Sequence, residues 1–418
     1  MCGYLEAICN NMLGILGLYI TEIKAAAAAL MGTTWIQKGS DIDGEAAGDY
    51  FGWGVSLNAS GDTLAIGGYS NDGNGSNSGH VRIYSWNGSS WVQLGSDIDG
   101  EAAGDYSGYS VSLNGSGDRV AIGGYNNDGN GSNSGHVRIY SWNGSSWVQL
   151  GSDIDGEAAG DNSGYSVSLN ASGDTLAIGG YNNDGNGSSS GHVRIYSWNG
   201  SSWVQLGSDI DGEAAGDYSG YSVSINADGD RVAIGANNND GNGSNSGHIR
   251  IYSWNGSSWV QLGSDIDGEA AGNGSGYSVS LNADGDRVAI GAPYNGTGGH
   301  VRIYSWNGSS WVQLGSDIDT AATYSQSGWS VSLNNTGDLV AIGSPQSIQA
   351  AGPGFVKVYQ WNGTSWIQIG LDITGEASLD RLGAFVSLNY VGDSLAIGAP
   401  YNDANGSSSG HVRVYNLV

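Results

Sequence analysis

At 418 residues the chain can build a large core, but 74 glycines against 4 prolines, with 15 Trp and 23 Tyr, describe short aromatic strands joined by glycine turns rather than helices. Forty acidic side chains against 13 basic ones give a formal net charge of −27, which repels nucleic acid and anionic membrane and attracts divalent cations. The two cysteines, Cys2 and Cys9, lie in the first nine residues, so the body is no disulfide scaffold.

Residues 1–32 differ from everything after them. They are apolar, as in Met12 to Ile20 (MLGILGLYI) and Ala25 to Met31 (AAAAALM), and carry only Glu6, Glu22 and Lys24. The pattern predicts a helix loosened near Gly14 and Gly17. Three readings compete. A secretory signal would need the basic start that is missing here, and a membrane span is interrupted by Glu22 and Lys24. The third is an assembly helix buried against copies of itself through Leu13, Leu16, Ile20 and Ile23, with any membrane contact confined to this segment. Cys2 and Cys9 would share a helical face, where an intermolecular bridge or lipidation competes with two idle thiols.

At Thr33 the text becomes TTWIQKG. The same strand returns as WVQLG or WIQIG at Trp91, Trp147, Trp203, Trp259, Trp311 and Trp366, each time as the last strand of a four-strand unit. At Trp35 it comes first, and the chain ends at Val418 one strand short of a complete unit. Trp35 and Ile36 are therefore predicted to close a ring.

From Gly39 the unit start recurs at a spacing of 56 residues four times, then 52, then 55. Within one unit the predicted strands are Gly108 to Asn114, Arg119 to Gly124, His136 to Trp142 and Ser146 to Gly151. The third alternates, with Val137 and Ile139 on one face and Arg138 and Tyr140 on the other. Asn143-Gly144 signals a hairpin, and Ser116-Gly117-Asp118 turns the first strand into the second. Seven such units predict an all-β fold over residues 33–418, a seven-bladed β-propeller of four-stranded antiparallel blades closed by the N-terminal outer strand, with the hydrophobic helix before it.

The stretch AAGDYFGWGVSL (Ala46 to Leu57) followed by LAIGG, and LAIGAP (Leu395 to Pro400), resembles FG-GAP repeats, the propeller repeats of integrin α-subunit heads and of many bacterial and algal surface proteins. The resemblance spans residues 33–418 and implies an extracellular or cell-surface adhesion or binding module without catalysis. It departs at one point: the family's calcium loop joins the first two strands, whereas here that connection is only NASGD (Asn58 to Asp62), too short for such a loop.

The acidic loops offer a different place for Ca2+. Asp41, Asp43, Glu45 and Asp49 fall at relative positions 1, 3, 5 and 9, an oxygen spacing that calcium favours. The quartet recurs at Asp97, Asp99, Glu101 and Asp105; at Asp153, Asp155, Glu157 and Asp161; and at Asp209, Asp211, Glu213 and Asp217. It decays afterwards, with Asn273 for the last acid and Thr374 for a second one. The competing reading is that these acids cap turns and keep the face soluble.

Six histidines, one in every unit but the sixth, are expected to open strands, being too far apart to converge on a metal. The Trp pairs, such as Trp86 with Trp91, are expected to pack across a hairpin rather than to stack on sugars. Asn58, Asn87 and Asn362 head N-x-S/T sites that a secretory pathway could glycosylate. Only units six and seven diverge, at Thr323 to Ser327, Gln346 to Gly354 and Leu379 to Leu382. Copying the same residues around a ring does not assemble a nucleophile, base and orienter, so the expectation is no enzyme. Two functions stand: a surface structural propeller assembling into an oligomer or filament through its N-terminal helix, and a secreted multivalent adhesin or lectin that binds glycan or protein on the acidic face with calcium.

Overall fold

The structure, a computed structural model, describes residues 33–418. The predicted helix, both cysteines, and Leu13, Leu16, Ile20 and Ile23 lie outside the described residues. Within them no helix occurs, and seven antiparallel sheets follow one another around an axis.

In the second blade the chain runs from the innermost strand Ser107–Leu113 through Arg119–Gly124 and His136–Trp142 to the outermost Trp147–Gln149. The second and third strands have the bounds that the alternation predicts. Local chemistry sets the turns between them. Asn114 Oδ1 accepts hydrogen bonds from the amides of Asp118 and Arg119 at 3.1 and 3.0 Å, and Asn143 Oδ1 accepts from the amides of Ser145 and Ser146, both at 2.9 Å.

The outermost strand differs from expectation. Predicted as one run over Ser146 to Gly151, it pairs only over Trp147–Gln149, and Gly151, at a φ of 85°, then turns the chain away. Ile154–Asp155 returns to pair with the start of the third strand, Asp155 opposite His136. Gln149 donates to Asp153 across the break. Each blade is thus a four-stranded meander whose outer edge carries a second, two-residue segment.

The core lies between blades. Ala65, Val81, Ile83 and Ile98 of the first blade meet Leu113, Val120 and Ile122 of the second, and Ala121, Val137 and Ile139 on the second blade's other face meet the third. Burying each large aliphatic side chain contributes roughly 1.5–3 kcal/mol. Innermost strands come so close that a Cβ on Gly67 would lie 1.9 Å from the Gly108 carbonyl oxygen. Only glycine fits there.

Closure follows the predicted route. Trp35–Gln37 pairs antiparallel with the last strand, Trp35 opposite Leu417, Ile36 opposite Asn416 and Gln37 opposite Tyr415. Trp35 is buried at 8 % exposure in the cluster that joins blades six and seven. Its indole nitrogen is buried with no hydrogen-bond partner among the described residues. The equivalent Trp147 nitrogen donates to Leu94 of the preceding blade at 2.8 Å.

Candidate functional site

The loops that enter each innermost strand share a face with those joining second and third strands. In three of the four quartets the side chain of the fourth acid ties these loops together. Asp105, 3 % exposed, accepts hydrogen bonds from the Ala102 amide at 2.9 Å and from Asn127 Nδ2 at 3.2 Å. Asp49 does the same with Ala46 and Asn71, and Asp217 with Ala214 and Asn239; Asp161 accepts from Glu157 and Ala158. These are loop caps.

The other three acids of a quartet part company. Asp41, Asp97, Asp153 and Asp209 accept from Gln37, Gln93, Gln149 and Gln205. Asp43, Asp99, Asp155 and Asp211 sit in the two-residue strands, opposite His411, His80, His136 and His192. Glu45, Glu101, Glu157 and Glu213 cross to the next blade, where Arg82, Arg138, Arg194 and Arg250 stand 3.5–3.9 Å away. No quartet closes on one point; its members serve two blade junctions.

What the junctions collect instead is a histidine with carboxylates from two blades. His136 Nδ1 lies 3.7 Å from Glu101 Oε2 and 3.8 Å from Asp153 Oδ2, and the imidazole is 1 % exposed. Equivalent groups are Glu45, His80 and Asp97; Glu157, His192 and Asp209; Glu213, His248 and Asp265; and Asp41, Glu376 and His411. The histidines are as far from one another as one per blade requires, yet each opens its strand inside an acidic cluster. Burial, with the Arg138 charge beside it, pushes the His136 imidazole down to about 4, and His411 falls to about 4 through burial and Arg413. Both are neutral at physiological pH. The junctions went unread in the sequence because the glutamate and its histidine are far apart in the chain, 35 residues for Glu101 and His136 and 31 for Glu269 and His300.

A second constellation, absent from the sequence reading, surrounds the channel on the same face. Trp53, Tyr109, Tyr165, Tyr221, Tyr277 and Trp329 follow the innermost glycine of successive blades, and Phe385, beside Ala384 in the seventh, completes the ring. They line a cavity of about 230 Å³. From Phe385 through Trp53 round to Trp329, successive ring centroids lie 4.5–5.6 Å apart, and the Tyr109 and Tyr165 hydroxyls bond at 2.9 Å. Burial pushes the Tyr109, Tyr165 and Tyr277 phenols well above their ordinary value. The signal that could have found this ring is an aromatic after the SG or FG glycine in six of seven units.

At the rim, Trp142 and Trp147 are directly cross-strand, with centroids 5.5 Å apart, so the pairs pack across the hairpin as expected. Asn87 and Asn362 are exposed at hairpin tips, whereas Asn58 is buried at 3 % exposure with its amide engaged by its own turn. That burial leaves no room for a glycan on Asn58.

The pattern of the FG-GAP repeat matches residues 41–84 and 210–252, the stretch from the two-residue strand through the third strand in blades one and four. That of the RIP homotypic interaction motif matches residues 86–97, 142–153, 198–209, 254–265 and 306–317, the outer hairpin of the first five blades. No curated protein matches the chain. Among solved structures, a protein from Bacteroides uniformis described as a putative 6-phosphogluconolactonase superposes with a TM-score of 0.55 at 11 % identity, over 78 % of this chain and 87 % of that one. At that identity the likeness concerns the fold alone. Repeat, blade count and closure agree: the chain is a seven-bladed β-propeller, two stretches of which match the FG-GAP repeat, consistent with an FG-GAP repeat propeller.

Proposed function

We propose that this propeller is a non-enzymatic structural protein of the extracellular space or cell surface, of the adhesion or binding type usual for FG-GAP repeats, and that it assembles into an oligomer or filament through residues 1–32. The observation that carries the reading is the position of the clasp. Thr34 pairs with Val418 at the outer rim, so the tail joins the ring beside the unpaired edges of the outermost strands and away from the acidic face. Each of those seven edges exposes one β-branched side chain, from 45 % at Ile367 to 53 % at Ile36. Unpaired edges are templates for pairing with another copy. Five of them fall in segments similar to a motif named for homotypic interaction. The non-enzymatic reading rests on repetition: the same polar residues recur from blade to blade with no nucleophile set apart from its copies.

Sedimentation velocity on the full chain and on residues 33–418 tests this. The full chain should run as a larger species than the truncated ring. Identical monomers in both would remove the assembly reading.

A second reading is favoured by the crowding of acids on one face. It makes the propeller a secreted multivalent adhesin or lectin that binds glycan or protein there with Ca2+. Burial first, then Asp153, Asp105 and Asp155, raise the Glu101 carboxyl despite Arg138, which is the electrostatic cost a cation would relieve. Thermal stability that is unchanged by calcium or by chelation would count against it.

A further inference from the structure

We infer that the histidine-bearing blade junctions are binding sites for a first-row divalent transition cation, Mn2+ or Zn2+ in class. Each is built from one imidazole nitrogen and the first aspartate of an Asp-x-Asp pair on its sheet, with a glutamate from the neighbouring blade; at His300 and His411 the second aspartate also comes within 4 Å. The inference goes beyond the proposed function and needs neither the tail nor calcium.

The junction at the ring closure shows the geometry. His411 Nδ1, in a side chain 1 % exposed, lies 3.7 Å from Asp41 Oδ2 and 3.9 Å from Asp43 Oδ1, and Glu376 completes the group. At the fifth blade, His300 Nδ1 lies 3.7 Å from Glu269 Oε2 and 3.8 Å from both Asp317 Oδ2 and Asp319 Oδ1. These separations are too long for hydrogen bonds. They are near the ~3.4 Å that separates two donors each about 2.1 Å from a tetrahedrally bound ion. Among the described residues the Nδ1 atoms of His80, His136, His192 and His411 are buried and have no hydrogen-bond partner, although each lies within 4 Å of a carboxylate. The acids remain partly open to water, with Asp41, Asp43 and Glu376 at 25, 38 and 56 % exposure, so an ion has a way in.

Charge points the same way. Glu101, Asp153 and Asp155 bring three negative charges to the His136 junction, and Arg138 returns one, leaving a deficit that a dication fills. The arginine stands 3.7 Å from Glu101 Oε1 and leaves Oε2 facing the imidazole, the outer-shell placement that orients a ligating carboxylate. One nitrogen among carboxylate oxygens suits Mn2+ or Zn2+ better than Ca2+ or Mg2+, which prefer all-oxygen sets.

The sixth blade is the independent observation. There Phe355 stands where the other blades have histidine, Thr374 replaces the second aspartate, and Ala321 occupies the position of the incoming glutamate. The histidine, the glutamate and the second aspartate are lost together, although they are far apart in the chain. Lys357, at the position of the arginine in the other blades, lies 3.8 Å from the remaining Asp372. Acids kept only for solubility have no reason to disappear with a buried histidine.

The arrangement would clip blade to blade. At the closure the ligands come from the N-terminal segment (Asp41 and Asp43), the last strand (His411) and blade six (Glu376), so one ion would pin the ring where the chain meets itself.

The test is metal stoichiometry on the full chain, stripped with chelator and then equilibrated separately with Mn2+, Zn2+ and Ca2+. Mn2+ or Zn2+ should bind at up to six ions per chain, one for each histidine, and raise the melting temperature. His136→Phe, which copies the side chain that blade six already accommodates, should lower the stoichiometry by one, as should the conservative Glu101→Gln. Installing Ala321→Glu, Phe355→His and Thr374→Asp together should add one. Failure of the full chain to bind either transition ion would overturn the inference. So would binding whose stoichiometry is unchanged in both His136→Phe and Glu101→Gln, because the ions would then sit on surface acids. Sedimentation in metal-free buffer reads the proposed assembly separately.

Discussion

Thr34 and Val418 exchange both of their backbone hydrogen bonds: the Thr34 amide donates to the Val418 carbonyl at 3.0 Å, and the Val418 amide donates back at 2.9 Å. One residue near the start and the last residue of the chain thus form a closed antiparallel pair at the rim. Trp35, next along, is buried opposite Leu417.

Removing the Trp35 side chain should therefore open the ring at its only chain break. Trp35→Ala is expected to destabilise by about 3–5 kcal/mol, the usual cost of emptying a buried indole site. Calorimetry should show a lower melting temperature, and limited proteolysis should cut first near Val418. A variant that melts with the parent and resists protease equally would mean that closure carries no load.

The glycine contacts between innermost strands should be intolerant of any side chain. A Cβ on Gly123 would lie 2.0 Å from the Gly164 carbonyl oxygen and 2.3 Å from Ser110 Oγ. Gly123→Ala is expected to cost at least the 1–3 kcal/mol typical of overpacking, because the obstacle is backbone. Gly144→Ala, where a Cβ meets nothing within 4 Å, should pay only for its φ of 95°. Denaturant midpoints of the two variants make the comparison, and equal loss in both would contradict the close-approach argument.

Acid should loosen the inner turns. Burial alone would raise the Asp118 carboxyl, but hydrogen bonds from Ser116 and Asn114 and the Arg119 charge outweigh it and hold the group below its ordinary value. A folded value below the unfolded one means that the carboxylate stabilises the fold above about pH 4 and loses that contribution as pH falls further. Asp62, Asp174 and Asp338 are lowered by similar turns. Stability measured between pH 5 and about 2 should fall, and Ser116→Ala should flatten that dependence slightly. No change in slope would remove the Ser116 bond as a cause.

The channel phenols should resist base. Burial holds Tyr109 and Tyr165 protonated well past the ordinary value, so their contribution is complete below about pH 10 and is lost as pH rises beyond it. Ultraviolet titration should show a class of tyrosines that ionises only as the protein unfolds. Tyr165→Phe, which deletes the 2.9 Å hydroxyl pair, should cost about 1 kcal/mol. A single titration near pH 10 for all tyrosines would show the ring to be open to water.

Much of this architecture was legible beforehand because it is local and repeated. The alternation of His136 to Trp142 reports two packed faces, Asn143-Gly144 reports its hairpin, and the orphan Trp35 strand reports closure. The acids at positions 1, 3, 5 and 9 were also legible, but as one loop. Spacing along a chain says which residues share a segment, and it cannot say that Asp105 turns inward to cap two loops while Glu101 crosses to the next blade.

The sequence by itself therefore determined the blade: strand periodicity, turn chemistry and the repeat length are set by neighbours in the chain. Only the tertiary structure decided the junctions. Bringing Glu376, Asp41 and His411 together requires the ring to close, and the inter-blade packing that closes it joins residues from both ends of the chain.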